Sequence, residues 1–509
     1  MRRRKVRVFC KSTSCSEAMT RACELNDFKL TQDRAKADVV WVCGAQDLAE
    51  QVKQARPSQI LSKLVGVEDA GSKVELARAL SRMQQIAPES FTFWPKTWIV
   101  PDDMKLLATD SQEHRGPFIV KPEDGAQGDG IYVLSNLADM SRMKPGGTAI
   151  LQKYIARPLL LDGLKFDLRI FVVVTSVEPL EAFLCDEALV RFCTAPYKGL
   201  AQGRMGDVCS HLTNYTLNKH SPDFVFEGPH ASKRTLSSTL EQLAQEGHDV
   251  SGVRDSLKRV AFQTLQALDM SLSLANRHHW QRRHGPSCFQ ILGFDVLLDE
   301  DMQPWLLEVN GSPSLNLEQE ISPQQLERLV PQGTHPLDLG FRSCNRCLMS
   351  VGPHYHKVGE ADLAVKVPML CGALRLAVSR TTLPPLYSRL EAGDVCGTAH
   401  GAVCAPIGDA FATLDSGFGG ITKRRIREFF ERNGVPETSE FHFTLAKEVH
   451  ELTRDPFKRF PSACVEAFAA LVLRVARHLH PDSSIREALR TMMPEFYAIR
   501  ERSNDANTS

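Results

Sequence analysis

No stretch of the chain approaches the ~18 consecutive apolar residues that a membrane-spanning helix needs. The basic N-terminus runs into Val6–Cys10, which is too short for a signal-peptide core and has no cleavage pattern behind it. Net charge is missing as well: 61 Lys and Arg balance 61 Asp and Glu. A neutral chain has no global field toward nucleic acid or a membrane surface, so neither is an expected partner. An acidic partner would be held by local basic patches. Arg2–Lys5, Arg277–Arg283 and Lys423–Arg425 are candidates, although each reads first as a solvated face. There is no internal repeat or low-complexity tract, which excludes solenoid and fibrous architectures. The 14 cysteines are scattered rather than framed in a small domain, so they read as thiols of a reducing, intracellular compartment.

What is present is the composition of a soluble globular protein, 43% hydrophobic and 24% charged. At ~150 residues per domain the chain has room for about three or four. Short β-branched runs at Lys5–Cys10 and Ala37–Cys43 read as buried strands, with Ser16–Leu25 a helix between them. Together they predict a small α/β domain over residues 1–100. Val74–Ile86 reads as a helix and Trp94–Pro101 as extended. Phe118–Val133 reads as strand, glycine-rich turn and strand, followed by strands at Leu151–Ile155 and Lys165–Val174. Leu236–Glu246 and Val253–Leu274 have helical period, and Cys288–Leu298 with Trp305–Val309 forms a hairpin around an acidic turn. After about residue 330 the pattern becomes mostly helical, notably at Ile421–Asn433 and Pro461–His478. The expected class is therefore α/β (α+β), divided as 1–100, 101–180, 181–330 and 331–509, the last an extension of unknown role.

Three segments carry chemistry. In Lys121-Pro-Glu-Asp-Gly-Ala-Gln-Gly-Asp-Gly130 a lysine ends an apolar strand and three glycines follow. Such a loop brings backbone amides close to phosphate oxygens, and the lysine adds a point charge. It is not a Walker A loop, since the lysine precedes the glycines, and a hairpin turn with a surface lysine fits it equally well. In Lys165-Phe-Asp-Leu-Arg169 the alternation of a strand puts Lys165, Asp167 and Arg169 on one face, either a polar cleft or a solvated sheet face. In the hairpin, closure around residues 301 and 302 sets Asp295 opposite Glu308, with Asn310 on the same face. Opposed carboxylates repel, and a hard divalent cation such as Mg²⁺ resolves that. Two lysines, a glycine-rich loop and a carboxylate pair, in this order, suit a nucleotide clamped between two sheets.

At this point the sequence resembles the tubulin tyrosine ligase-like family, from about Lys73 to Leu315. The resemblance is carried by Phe93-Trp-Pro-Lys-Thr-Trp, Phe118-Ile-Val-Lys-Pro, Gly125-Ala-Gln-Gly-Asp-Gly-Ile, Leu151-Gln-Lys-Tyr-Ile, Lys165-Phe-Asp-Leu-Arg and Arg191-Phe-Cys-Thr-Ala-Pro-Tyr. It continues through His211-Leu-Thr-Asn-Tyr-Thr-Leu-Asn-Lys, Ser232-Lys-Arg, and Leu292-Gly-Phe-Asp to Leu307-Glu-Val-Asn-Gly-Ser-Pro-Ser. The resemblance implies an ATP-grasp fold and an ATP-dependent carboxylate–amine ligase. Lys121 and Lys165 would hold ATP phosphates, with Lys73 a third contact. Gln127 and Gly128 would belong to the loop over the nucleotide. Gln152, Lys153, Tyr154 and Ile155 would line the adenine pocket, mostly through backbone groups, and Asp167, Thr213 and Asn214 would complete the nucleotide site. Asp295, Glu308 and Asn310 would bind Mg²⁺. Arg169 and Arg191 would meet substrate carboxylates, where a bidentate donor is apt.

Tyr215, Thr216 and Lys233 match positions that hold the incoming amino acid in glutamylating members. Arg191 and Lys233 suit an amino acid with two carboxylates, so free L-glutamate is the expected co-substrate and the acidic tails of tubulin in microtubules the acceptor. Gln127 is similar to chain-elongating members. The resemblance also implies a place in the cytoplasm on the cytoskeleton, with cilium, flagellum or basal body as family-level expectations. A ligase of the same fold for glycine, tyrosine or a non-tubulin acceptor stays open. A non-catalytic microtubule- or axoneme-associated protein is the third reading, opposed by the intact Lys121, Lys165, Asp295, Glu308 and Asn310.

Asp129 departs from relatives with a basic residue there, and Gly311 from those with a side chain near the substrate. Outside the resemblance, Cys344 and Cys347 have zinc-ligand spacing, but His354 and His356 are set tighter than usual pairs, so free thiols and a surface histidine pair are the preferred reading. Asp415-Ser-Gly-Phe-Gly-Gly-Ile lacks the alternating acids of a calcium loop.

Overall fold

The computed structural model describes residues 4–390 apart from 12–15, 43–47, 105–106, 108–115, 126–127, 138–146, 200–207, 281–286, 322, 345–353 and 380–382, and short stretches between 407 and 493. Gln127, Cys347, the segment 415–421, the patch 423–425 and most of the two expected C-terminal helices lie outside the described residues.

The N-terminal sheet is parallel. It is built from β1 (Arg7–Cys10), β2 (Lys29–Thr31), β3 (Val39–Trp41) and β4 (Ile60–Leu61), with helix α1 (Ser16–Leu25) between its first two strands. A late strand, β14 (Ser287–Cys288), pairs with β4, so this sheet is completed from far downstream in the chain. A second, antiparallel sheet has the order β5 (Thr97–Val100), β8 (Ala149–Lys153), β6 (Phe118–Pro122), β7 (Tyr132–Leu134). Its β6–β7 connection is the glycine-rich segment.

The largest sheet has eight strands. Its spine is β10 (Leu164–Val177), flanked by β9 (Leu160–Leu161), β11 (Leu180–Cys185), β12 (Leu189–Phe192) and β13 (Lys233–Thr235). The hairpin β15 (Gln290–Leu298) and β16 (Pro304–Asn310) joins through β10–β15 pairing. A three-stranded sheet orders β17 (Glu318–Ile321), β19 (His354–Val358) and β18 (Arg342–Cys344), and β20 (Tyr387–Leu390) pairs with β11. Strands on both sides of residue 180, and one beyond 330, thus share the principal sheet.

The long buried run of β10 follows from cover on both faces. Phe166, Leu168, Ile170, Val172 and Val174 face a core shared with α2 (Lys73–Ile86) and α4 (Val253–Trp280); the short α3 (Tyr215–Asn218) lies between these two in the chain. Phe171 and Val173 face a second core with α1 and α5 (Glu360–Val378). Helix α2 starts after Ser72, whose hydroxyl accepts from the Glu75 amide, an N-cap that explains its onset one residue before the predicted Val74. Helix α5 supplies Val365, Met369, Leu370, Ala373 and Leu374 to the second core. This part of the expected extension is therefore built into the main body, against β10, β12, β13 and α1. No described helix is long and apolar enough to cross a membrane.

Candidate active site

Strand pairing lays a row of charges across one face of the principal sheet. Lys233 on β13 stands opposite Arg191 on β12, and Arg191 opposite Asp167 on β10. Two residues along, Arg169 stands opposite Asp295 on β15, and Asp295 opposite Glu308 on β16. The Asp295–Glu308 pairing that hairpin symmetry predicts is present, and a register shift between Asp295 and Val296 makes it possible. Without that bulge the turn-proximal pairs, such as Val296 with Leu306, would continue and bring Asp295 opposite Leu307.

The centre of the row is neutralised internally. Arg169 grips Asp295 with Nε and with Nη2, the latter at 2.9 Å. Arg191 holds Asp167 through Nε at 2.8 Å and through Nη2, which also reaches Asp295 at 2.7 Å. The two arginines expected at substrate carboxylates thus also bind the chain's own carboxylates. Their Nη1 groups have no hydrogen-bond partner among the described residues, which leaves one edge of each guanidinium for a ligand.

The ends of the row differ from its centre, although each charge there also has an opposite partner. Like charges meet at Lys233 and Arg191, and again at Asp295 and Glu308. Burial and the two arginines act on Asp295 in opposite directions, and the arginines hold it well below the usual carboxylate range. Burial, then Asp295, pushes the Glu308 carboxyl up. Asn310 Nδ2 donates to Glu308 Oε1 at 3.0 Å, which fixes the amide beside the pair. Among the described residues no group of three or more His, Cys, Asp or Glu could hold a metal. The donor set is instead two carboxylates and one amide, of which Glu308 is the carboxylate with the weaker cationic contact, Arg169 Nη2 at 4.0 Å. That set fits a hard divalent ion that completes its shell with phosphate oxygens and water.

Beside the row lies a cleft of about 640 Å³ between this sheet and the second sheet. It is lined by Lys121, Gln152, Lys153, Tyr154, Ile155, Lys165, Asp167, Arg191, Thr213, Asn214, Asp295 and Glu308, with apolar Ile119, Ile131, Leu297 and Leu307. Most of the expected nucleotide residues are therefore assembled in one place. Lys121 Nζ donates to Gln152 Oε1 at 2.9 Å and to the Leu307 carbonyl at 3.0 Å. Burial lowers it to about 8, against the pull of Glu308 and Asp295. Lys165 donates to Tyr154 Oη and to the His211 carbonyl, both at 2.9 Å, and burial lowers it too. Both lysines are thus held by neutral acceptors, which position the ammonium while leaving its charge for an anion. Gln152 and Tyr154 act here through their side chains, where the family resemblance implies mainly backbone roles.

Other expected residues sit around the cleft rather than on its wall. Lys73 donates to the carbonyls of Glu123 at 3.1 Å and Gly125 at 2.6 Å, tying α2 to the glycine-rich segment. Gly128 packs beside Leu217 and Asn214, and Asp129 is exposed. Tyr215 opens α3, with Thr216 after it, and the Tyr215 ring lies 3.9 Å from Lys233 Nζ. Gly293 matters as a gap: a Cβ there would stand 2.9 Å from Arg169 Cδ and 3.0 Å from Pro313, so only glycine lets Arg169 lie flat toward Asp295. Gly311 has room for a Cβ only at 3.3 Å from Glu68.

Asn218, buried and outside the predicted site, organises the loop from His211. Its Oδ1 accepts from the Thr194 amide and hydroxyl, both at 2.9 Å, and its Nδ2 donates to Leu212 at 2.8 Å and Asn214 at 3.1 Å. The sequence signal for it is its place within the Thr-Asn-Tyr-Thr-Leu-Asn segment. Cys344 stands opposite His354, with His356 opposite Arg342, on β18 and β19.

Comparison with known proteins gives this geometry a family. The chain is 39% identical over 286 residues to tubulin polyglutamylase TTLL11 of Homo sapiens, covering 53% of this chain and 40% of that protein. It is 34% identical over 343 residues to tubulin polyglutamylase TTLL6 of Mus musculus, covering 67% and 41%. A probable beta-tubulin polyglutamylase of Tetrahymena thermophila is 35% identical over 292 residues, covering 55% and 24%. The matched region thus spans about two fifths or less of the length of these relatives. The tubulin-tyrosine ligase family model matches residues 52–332, which contain the whole charge row and the cleft beside it, and the chain belongs to that family.

Proposed function

We propose that this protein is an ATP-dependent ligase that joins glutamate to glutamate side chains or branches on tubulin C-terminal tails. The observation that carries the proposal is the charge row, in which two cations are neighbours at one end and two carboxylates at the other, with the lysine-lined cleft beside it. The names of the relatives, all polyglutamylases, support the choice of amino acid and acceptor.

In this reading Lys121 and Lys165 hold phosphate oxygens of ATP, and Gln152, Tyr154 and the His211 carbonyl aim them. Asp295, Glu308 and Asn310 would hold Mg²⁺, which supplies charge neutralisation to the transferring phosphoryl group. An acceptor carboxylate oxygen attacks the γ-phosphorus, the bond to the β-bridging oxygen breaks, and ADP departs, leaving an acyl phosphate. The amine of free glutamate attacks the carbonyl carbon, phosphate leaves, and the amine proton is lost as the amide forms. The free edges of Arg169 and Arg191 orient carboxylates, which removes entropy from the encounter. The apolar residues of the cleft limit water that would hydrolyse the acyl phosphate. Elongation of an existing branch, suggested by Gln127, belongs to this proposal, as does a cytoskeletal location.

The test offers purified protein ATP, Mg²⁺ and microtubules with labelled glutamate, glycine or tyrosine in parallel, followed by mass analysis of the tails. Glutamate alone is the expected incorporation, and the branch positions separate initiation from elongation. Use of glycine or tyrosine instead would remove the amino-acid assignment, and no incorporation of any would remove the tubulin reading.

A further inference from the structure

The cationic end of the charge row is held from outside the family-matched region. Lys233 Nζ donates to Asp362 Oδ2 at 2.8 Å, and Asp362 lies in the first turn of α5, thirty residues beyond the last matched position. Asp362 is completely buried. Its Oδ2 also accepts from Gln319 Nε2 at 2.9 Å, and its Oδ1 is 2.7 Å from Lys366 Nζ, one helical turn on. Lys366 in turn donates to the Asn316 carbonyl at 2.7 Å. The first turn of a helix is a favourable place for a carboxylate, since the unpaired amides there are partly positive. The residue before the helix, Gly359, allows the packing: a Cβ there would overlap Gln319 Nε2 and stand 3.0 Å from Asp362 Oδ2.

One carboxylate serving two lysines leaves the cluster with an excess positive charge, beside Arg191. Among the described residues Asp362 is the hydrogen-bond partner of the Lys233 ammonium, which lies over the Tyr215 ring at 3.9 Å from its centroid. We infer that Asp362 is a positioning residue for amino-acid selection: it fixes the Lys233 ammonium next to Arg191 so that the two bind the side-chain and α-carboxylates of the incoming dicarboxylic amino acid. The inference rests on the glutamate ligase reading. It makes α5 part of the specificity apparatus. The groups facing Lys233 are Asp362 and Lys366 from α5, Arg191 from β12 and Tyr215 from α3. Burial lowers Lys233 to about 8, and Asp362 opposes that.

The experiment uses the full chain and measures initial rates against glutamate and ATP separately, with calorimetric binding of L-glutamate as a readout independent of turnover. Asp362→Asn is expected to raise KM for glutamate about tenfold, the effect of one lost charge-assisted hydrogen bond, with KM for ATP unchanged. It is also expected to move the alkaline limb of kcat/KM for glutamate to lower pH. Asp362→Glu should restore part of the affinity. Because a buried charge left alone can unfold a protein, the double variant Lys233→Met/Asp362→Leu is compared with Lys233→Met. If Asp362 acts through Lys233, the two have the same KM for glutamate. Equal loss for ATP and glutamate in Asp362→Asn, or a further loss in the double variant, would overturn the inference and leave the ligase reading standing. A wild-type protein that neither incorporates nor binds glutamate would overturn both.

Discussion

Arg191 shows how a single side chain serves two purposes. Its guanidinium pairs with Asp167 and Asp295, both almost fully buried, so Arg191→Ala would strand Asp167 in a low-dielectric interior and leave Asp295 to Arg169 alone. Breaking such a pair costs about 3–5 kcal/mol. Arg191→Ala is therefore expected to lower the denaturant midpoint strongly as well as impair glutamate use, and an unchanged midpoint would contradict the pairing. Glu308 is the opposite case. Its carboxyl is pushed up by burial and by Asp295, so neutralising it relieves repulsion. Glu308→Gln is expected to keep or slightly raise thermal stability while reducing ligation by at least about 100-fold at ordinary Mg²⁺, the order of effect expected when a charged group aimed at the transition state is removed. Initial rates and a melting curve on the same preparation check both halves.

Lys233 gives a pH signature at the same scale. Its folded value, about 8, lies below the usual lysine value of 10.5. At neutral pH the lysine is charged in both states and its burial opposes folding. Between about pH 8 and 10.5 the unfolded state holds the extra proton, so stability rises with pH and the opposition fades. The stability of the wild type minus that of Lys233→Met should therefore increase across this window. A flat difference would mean that Lys233 is not desolvated.

At the scale of elements, strand alternation alone puts Lys165, Asp167 and Arg169 on one face, and closure of the hairpin around residues 301 and 302 anticipates Asp295 opposite Glu308, a pairing that the bulge realises. Those rules are local and geometric, so the sequence makes them legible. The β15–β16 bulge is not legible in the same way, because its two-against-one pairing leaves no mark in hydrophobic period. Nor is the closing of the N-terminal sheet by Ser287–Cys288, a pairing too short and too distant to carry a pattern. The side-chain roles of Gln152 and Tyr154 escape sequence reasoning for a related reason: a side chain's partner across a cleft depends on how two sheets face each other. Asn218 belongs to this class. It joins Thr194 to the His211–Asn214 loop that borders the cleft, so Asn218→Ala takes the partner from two buried backbone groups, the Thr194 amide and the Leu212 carbonyl. A loss of about 2–4 kcal/mol is expected, on the basis of ~1–3 kcal/mol per unsatisfied group, together with a raised KM for ATP. Denaturant titration and ATP-dependent rates test this. A stability change within about 0.5 kcal/mol, the spread of neutral surface substitutions, would show that the loop is held otherwise.

Over the whole molecule, the packed cores extend beyond the family-matched region. The face of β10 that carries Lys165, Asp167 and Arg169 continues into Phe171 and Val173, and α5 covers that apolar half. One face thus changes from site to core along a single strand, and α5 spans the change, with apolar residues over the core and Asp362 at the site. β20 extends the same sheet beside β11, and Phe429, Phe430, Phe468 and Leu489 join the core on its other face. A chain ending at residue 332 would expose Phe171, Val173, Phe183 and Leu189 together with the edge of β11. An uncovered apolar face beside an open strand edge is a template for aggregation. The truncated chain is therefore expected to be insoluble or to lack a cooperative melting transition, whereas the full chain melts cooperatively. A soluble, cooperatively folding 1–332 fragment that still binds ATP would show that α5 is dispensable to the fold, and would confine its contribution to the hold of Asp362 on Lys233.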